Sequence, residues 1–408
     1  MPDALNAITA VSPTTTRMTR GLTLLFAVAA GAAVGNLYWA QPLLGLIGHD
    51  LGVSNTSAAL LLTITQLGYA VGIVLLVPLG DLRNRRRLVP AILVASAVAL
   101  AACAAAPGYG ALLAALALLG VTTVSGQIIV PLAGDMAAPG EQGRVVGTVV
   151  SGVLTGILLS RTISGLVAGA TSWRVLYAAA AVLALGMAFL LHRAIPDLPP
   201  KTSLRYPALL GSVATLIARE RTVRWSLLTG AIQFGSFTMF WTALTFLLSG
   251  SPFDYSVDVI GLFGLVGLAG AVAAQRSGRL LDRGLAMPAT GIGWVLAIAG
   301  FGLTGLATIS IAFLIAGILL IDIAIQSLNI LNQTRLFAVR AEARSRLNTA
   351  MVTTNFIAGA IGSAIASVLW SAGGWAAVTT TGVGLGVAGL LMWTLGRRGP
   401  LQVPITAG

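Results

Sequence analysis

Long apolar runs separated by short polar segments make up most of this chain. Each run holds about 20 residues, the length at which an α-helix crosses the hydrocarbon core of a bilayer. The runs are apolar on all faces and do not alternate with period two as the strands of a membrane β-barrel do. They are therefore predicted to be helices. Twelve such spans are predicted, near 21–44, 57–79, 88–106, 109–133, 145–170, 173–193, 224–249, 256–275, 286–305, 308–333, 347–371 and 375–396.

The composition agrees with this pattern. Hydrophobic residues make up 57% of the 408 residues and charged residues only 9%, and the mean hydropathy is +0.92. A soluble domain carries about 25% charged residues, so the class of soluble globular proteins is excluded. Cys103 is the single cysteine, which excludes an intrachain disulfide.

The net charge of +12 follows the predicted topology. Arginines gather on one side of the twelve-span zigzag, and Arg174 is the exception on the other side. The positive-inside rule then places both termini in the cytoplasm. Because the positive charge follows this topology, we expect no nucleic-acid partner.

A polar stretch that contains four prolines, 195–225, divides the spans into two groups of six. Asp81 and Asp282, Arg144 and Arg346, and Trp173 and Trp375 lie 201 or 202 residues apart, which indicates a duplication. Transporters built from such repeats bind substrate between the halves near the bilayer midplane. The predicted units are a cytoplasmic tail at 1–20, a six-helix half at 21–193, a cytoplasmic linker at 194–223, a second half at 224–396 and a tail at 397–408.

The loop PLGDLRNRRRLVP (78–90) and its counterpart GRLLDRG (278–284) resemble the signature loop of the major facilitator superfamily. That signature is a short cytoplasmic turn of glycine, acid and arginines. The resemblance implies an all-α membrane protein of two pseudo-symmetric six-helix bundles that works as a monomeric secondary transporter by alternating access. In the family the acid lies at a helix N-terminus of the other half when the cytoplasmic side is closed, where the helix dipole favours a carboxylate. The implied gating residues are Asp81, Arg85, Arg86, Gly278, Asp282 and Arg283. The alternative is a basic loop that only fixes orientation.

Three further segments, NLYWAQPLL (36–44), FWTALTFLLS (240–249) and LNQTRLFAVRAEARSRLN (331–348), resemble a bacterial branch of drug- and sugar-efflux-like permeases. This resemblance implies a bacterial inner membrane. The exporters' glycine- and proline-rich motif in span 5 is matched in part. Gly147, Gly156 and Gly165 fit it, whereas Ser160, Arg161 and Ser164 replace its glycine, proline and glycine.

Two ionisable residues, Arg161 and Asp322, lie deep in predicted spans. A charge at the bilayer centre costs about 2.5 kcal/mol or more, so each needs a partner, a water-filled cavity or neutralisation. Asp322, Gln326, Asn329 and Gln333 share one helix face at i, i+4, i+7 and i+11. We expect this face to line a cavity in which Asp322 takes up and releases a proton. Interhelical hydrogen bonding is the alternative for the amides.

The role of Arg161 is open between an anion anchor, a pair with Asp322, and snorkelling to the interface. In the family fold, spans 1, 4, 7 and 10 line the cavity, so polar and aromatic residues there are candidate substrate contacts. They are Asn36, Trp39, Gln41, Gln127, Gln233 and Trp241, together with Arg161 and the three amides of span 10.

No metal-type His/Cys cluster, P-loop or Ser-His-Asp set can be assembled from the sequence. We therefore expect no enzyme, cofactor or metal. The predicted function is proton-coupled export of a small organic molecule. The alternatives are proton-coupled uptake of an organic anion, and a membrane sensor or scaffold that transports nothing.

Overall fold

The computed structural model describes residues 18–138, 140–198, 206–274, 285–340 and 343–402, and within the helices it leaves aside the side chains of 208, 209 and 268–274. In the first half, span 1 is Arg20–Gly35, continued by a 3-10 turn Gln41–Leu43 and a short helix Leu44–Asp50. Span 2 is Asn55–Leu76, followed by a turn of helix Leu79–Leu82, and span 3 is Arg85–Ala104. Span 4 consists of Tyr109–Thr122 and Ser125–Met136, span 5 is Gln142–Ala170, and span 6 is Trp173–Ala194.

A linker helix, Tyr206–Arg219, precedes the second half. That half holds span 7, Arg221–Ser249; span 8, Val257–Ala274; span 9, Ala286–Thr304; span 10, Ile311–Val339; and Arg344–Gly396, which contains spans 11 and 12. The last segment is two helices, because Gly373 and Gly374 have non-helical backbone angles and Gly374 has a φ of 58°. The described residues therefore form twelve spans in two six-helix halves, as predicted.

Serines begin several spans. Ser54, Ser172 and Ser310 precede spans 2, 6 and 10, and their side chains accept hydrogen bonds from backbone N–H groups two or three residues ahead. The first N–H groups of a helix have no partner within the helix, and a serine oxygen satisfies one of them. The loops before these spans therefore define where each helix starts.

Spans 1 and 4 are both broken, and the two breaks are bonded together. Span 1 leaves the α-helix after Gly35, and span 4 is interrupted at Thr123 and Val124. Thr123 Oγ1 donates to the carbonyl of Ala33 (2.7 Å), and Asn36 Nδ2 donates to Thr123 Oγ1 (3.2 Å). Irregular backbone at membrane depth is tolerated where other protein groups satisfy its hydrogen bonds. Thr123 does this for span 1.

Spans 1 and 5 cross with their backbones in contact. A Cβ atom added at Gly156 would overlap the carbonyl of Gly31, and one added at Gly152 would overlap the carbonyl of Ala27. Small residues allow this approach, which adds dispersion contacts in a solvent where the hydrophobic effect between helices is absent. Gly152 and Gly156 of span 5 are thus explained by packing against span 1.

The substitution Gly156→Ala is expected to destabilise the protein by about 1–3 kcal/mol, because the new methyl group meets backbone atoms that cannot rotate away. The measurement is the thermal unfolding midpoint in detergent. Gly147→Ala in the same helix is the control, since a Cβ there meets nothing within 4 Å. Equal midpoints for the two variants would show that the contact between spans 1 and 5 is not close.

The two ends of the bundle differ in how the halves meet. We call the end with the loops at 51–54, 105–108, 171–172, 250–256 and 305–310 the far end, and the opposite end the termini end. Towards the far end three hydrogen bonds join the halves: Thr162 Oγ1 to Gly261 O (3.1 Å), Thr245 Oγ1 to Gln41 O (3.0 Å) and Ser363 Oγ to Ala59 O (3.3 Å). The far end is closed.

At the termini end, Arg85 bonds to groups within the first half. Arg85 donates to Gly80 O (2.7 Å) and Asp135 Oδ2 (3.0 Å), and its Nη2 lies 3.9 Å from Asp81 Oδ1. Arg86 lies in the first turn of span 3, where its backbone N–H donates to Asn84. The implied contact of Asp81 with the other half belongs to a conformation with this end closed, so it stays a prediction. Gly278, Asp282 and Arg283 lie outside the described residues.

Candidate functional site

Asp322 lies in span 10 with its side chain fully buried. A Cβ atom placed on Gly267 of span 8 would lie 3.3 Å from both carboxyl oxygens and 3.2 Å from Trp241 Cζ2. Asp322 and Trp241 therefore flank the same point of span 8. Neither carboxyl oxygen has a hydrogen-bond partner among the described residues. A buried ionised carboxylate without a partner is costly, so this group favours a proton or a ligand.

Arg161 lies in span 5 of the other half and is 2% exposed, so its guanidinium does not extend to the membrane–water interface. Its Nε donates to Gln41 Oε1 at 2.7 Å. Nη1 and Nη2 have no hydrogen-bond partner in the described part of the chain. Two donors of a buried cation are therefore available to a ligand.

Aromatic rings surround the guanidinium. Its Cζ lies 4.4 Å from the ring centroid of Trp241, 5.0 Å from that of Tyr38 and 5.9 Å from that of Phe237. Such cation–π contacts are worth about 2 kcal/mol when desolvated. They offset part of the cost of burying Arg161 and hold it between the halves.

Arg161 and Asp322 belong to opposite halves and each lies near Trp241, but the ion pairs of the described residues do not join the two. Gln41, Pro42, Arg161, Trp241 and Thr245 line a space whose volume open to the centre of a water molecule is about 10 Å³, room for about one water molecule. A larger ligand would need the halves to move.

The amides of span 10 continue the face of Asp322 towards the termini end. Gln326, Asn329 and Gln333 are half-buried, whereas Asp322 is fully buried. Gln333 Nε2 donates to Asn348 Oδ1 at 3.5 Å. This polar face becomes less buried towards the termini end, as is typical of a route by which water enters a site.

The remaining candidates make hydrogen bonds within the protein, and their contact with substrate stays a prediction. Trp39 Nε1 donates to Asn36 Oδ1 (2.8 Å) beside the break in span 1, and Gln233 Nε2 donates to Ile325 O (2.9 Å) on span 10. Gln127 is half-buried and donates to Tyr69 Oη at 3.1 Å. Of the predicted substrate contacts, Gln41 and Trp241 therefore contact Arg161, and Trp241 also lies near Asp322.

Gln66 of span 2 was not among the predicted site residues. It is 2% exposed, its Oε1 has no partner among the described residues, and a Cβ on Gly359 of span 11 would meet it. It lies where the halves touch. Its signal in the sequence is a lone amide in an apolar run, which is too common in packed spans to mark a site.

Two six-helix halves, with the buried charged residues Arg161 in one and Asp322 in the other, are the architecture of a polytopic membrane transporter. The chain matches the model of the Major Facilitator Superfamily over residues 22–363 and belongs to that family. It is a transporter and not an enzyme.

Relatives agree with this assignment. The chain is 40% identical over 375 residues to the transporter YgaY of Escherichia coli O157:H7, covering 92% of this chain and 95% of that one. It is 34% identical over 357 residues to a Streptomyces coelicolor protein named "Probable transporter SCO4007", covering 87% and 82%.

Solved structures share the fold. A bacterial homologue of the human lysosomal transporter Spinster, in an inward-facing and occupied conformation, gives a TM-score of 0.76 at 14% identity, covering 93% of this chain and 96% of that one. The nucleoside transporter NupG gives 0.71 at 15% identity, covering 91% and 99%.

Proposed function

We propose that this protein is a proton-coupled antiporter that exports a small organic molecule across a bacterial inner membrane, with Asp322 as the proton carrier. One observation carries the proposal: Asp322, a fully buried carboxyl group with no hydrogen-bond partner among the described residues, lies near Trp241, which also contacts Arg161 of the other half. The proposed protein is a monomer in the bilayer, with both termini in the cytoplasm.

The energetics of Asp322 support coupling. An ionised carboxylate in this apolar site is costly, so the empty site with its halves closed is most stable when Asp322 carries a proton. A substrate that binds the ionised form competes with that proton. Each change between the two conformations of the transporter then carries either the proton or the substrate. A transporter that cannot carry both at once exchanges one for the other.

The two ends of the bundle support alternating access. With the termini in the cytoplasm, the closed far end faces outwards and the half-buried amides of span 10 lead inwards. Protons or substrate would reach Asp322 from the cytoplasm in this conformation. The opposite conformation would close the termini end, where Asp81 and Arg85 lie.

The test is substrate-induced proton movement. Purified protein in proteoliposomes with an imposed pH gradient is screened against chemically diverse compounds, with a pH-sensitive dye inside. We expect some compounds to collapse the gradient in protein-containing vesicles and not in protein-free ones. A protein that moves compounds without moving protons would contradict the coupling.

A second candidate is proton-coupled uptake of an organic anion. It is favoured by Arg161, whose two Nη groups have no hydrogen-bond partner in the described part of the chain and could bind a carboxylate in the bidentate way that guanidinium prefers. The same assay separates the two, because symport moves protons in the direction of the substrate and antiport moves them against it.

Asp81→Asn tests the proposed gate at the termini end. Loss of the carboxylate removes an interaction with a helix N-terminus worth about 0.3–1 kcal/mol, so turnover is expected to fall about twofold to fivefold with protein abundance unchanged. Initial rates in proteoliposomes give the measurement. Glu141→Gln, an exposed acid at the same end, is the control, and equal rates for the two variants would argue against the gate.

A further inference from the structure

A basic pocket lies at the termini end of the second half, away from Arg161 and Asp322. It is formed by the linker helix, the start of span 7, the end of span 10 and the start of span 11, and its volume is about 430 Å³. The polar residues that line it are Ser212, Thr215, Arg219, Glu220, Arg340 and Arg346. Nothing in the proposed transport cycle uses this pocket.

The pocket has an excess of positive charge. Its lining has three arginines and one acid, a formal charge of +2. Arg340 Nη2 lies 2.8 Å from Glu220 Oε1, so this arginine is already paired. Arg219 is exposed and Arg346 is half-buried, and neither has an ion-pair partner among the described residues. Two guanidinium groups are therefore available to an anion.

The walls of the pocket are fixed in place. Leu216 of the linker helix packs in one apolar cluster with Leu336 of span 10 and Leu347 of span 11. Arg224 Nη1 donates to the carbonyls of Ile217 (3.2 Å) and Ala218, which have no helical donor at the end of the linker helix. A preorganised pocket loses little conformational freedom when it binds a ligand.

The surroundings of the pocket favour a lipid. The pocket lies where three spans leave the bilayer, and Leu228, about 10 Å along span 7 from Arg221, is 56% exposed. A molecule whose anionic group occupies the pocket would find apolar surface for its chains beside it. Guanidinium groups bind phosphate oxygens in a bidentate way, and basic pockets at a membrane surface bind anionic lipid headgroups.

We infer that this pocket, lined by Arg219, Arg340 and Arg346, is a binding site for the headgroup of an anionic phospholipid. The inference is independent of proton coupling and of the transported substrate, since it concerns a different surface of the molecule. Binding there would hold the linker helix against the second half.

The test compares two double variants of the full-length protein in detergent. Arg219→Gln with Arg346→Gln removes the two unpaired pocket charges. Arg83→Gln with Arg398→Gln removes two exposed arginines from the same end of the bundle and is the matched control. Thermal unfolding midpoints are titrated with short-chain phosphatidylglycerol and with phosphatidylcholine of the same chain length.

Phosphatidylglycerol is expected to raise the midpoint of the wild-type and control proteins, and phosphatidylcholine is not. The apparent Kd for phosphatidylglycerol should weaken about tenfold or more in the pocket variant, since two of the guanidinium groups that would bind the phosphate oxygens are lost. Thr215→Glu, which adds a negative charge to the pocket and keeps every arginine, should show the same loss.

Equal weakening in the pocket and control variants would overturn the inference, because it would show that only the general surface charge attracts the lipid. A second titration of the unfolding midpoint uses inorganic phosphate in place of lipid. If millimolar phosphate reproduced the midpoint shift without lipid, the pocket would be a site for a soluble phosphate, and the lipid assignment would be wrong.

Discussion

Transport driven by a pH gradient is expected to fall to the level of protein-free liposomes when Asp322 is replaced by asparagine. Asparagine has nearly the same shape but cannot carry a proton, so the proposed exchange of proton for substrate loses one of its two partners. The fold should persist, because the carboxyl oxygens of Asp322 make no hydrogen bond in the described structure that asparagine would break. Flux of a compound found in the screen, measured with an imposed pH gradient, gives the result.

Two further measurements make the Asp322→Asn result specific. Exchange of labelled for unlabelled substrate at equal pH on both sides should survive, since it needs no proton. Asp254→Asn is the matched control: Asp254 is an exposed acid at the far end with a φ of 47°, a conformation that asparagine adopts readily. Full pH-driven flux in Asp322→Asn would remove this residue from the coupling role.

Replacement of Gly165 by leucine is expected to hold the far end open and to stop transport. A Cβ atom on Gly165 would lie 2.6 Å from Val257 O and 2.9 Å from the Cα of Gly261, and both are backbone atoms of span 8 in the other half. The side chain therefore fits only if spans 5 and 8 separate. A penalty of about 1–3 kcal/mol on the closed far end shifts the ratio of conformers roughly 5- to 150-fold.

Thiol labelling reports the conformation of the Gly165→Leu variant. Thr245 is 4% exposed and bonded to Gln41 across the closed far end, so a cysteine at this position should be protected in the parent protein and react with a membrane-impermeant maleimide in the leucine variant. Cys103, the single native thiol, is buried and gives a low background. Gly302→Leu is the control, because a Cβ there meets nothing within 4 Å. Protection of the cysteine in both variants would contradict a close contact of spans 5 and 8.

The twelve spans could be predicted because each is a local property of the sequence. A run of apolar residues must hydrogen-bond its own backbone in lipid, and the helix is the element that does so within one segment. The breaks within spans 1 and 4 were not predicted. They depend on Thr123, which satisfies a carbonyl 90 residues earlier in the chain, and no local pattern records that contact.

The candidate site, like the fold, was predicted from the sequence only in part. Arg161 and Asp322 were identified because a charge in an apolar run is costly wherever it lies. Their relation to each other was left open in the sequence. The structure places them on opposite halves, each near Trp241. It also shows Asn36 and Gln233 in hydrogen bonds between spans and Trp39 in a hydrogen bond to Asn36 within span 1.

The sequence by itself determined that the chain lies in a membrane, that its spans are helices and that two of its charges are costly, because each follows from the transfer of one segment from water to lipid. It determined the two halves through the polar linker and the residues repeated 201 or 202 positions apart. Only the tertiary structure decided which end of the bundle is closed, that Arg161 and Asp322 both lie near Trp241 without forming an ion pair, and that Arg219, Arg340 and Arg346 share a pocket. These features depend on distances between segments far apart in the chain, which are fixed by helix packing and not by the hydropathy of any one segment.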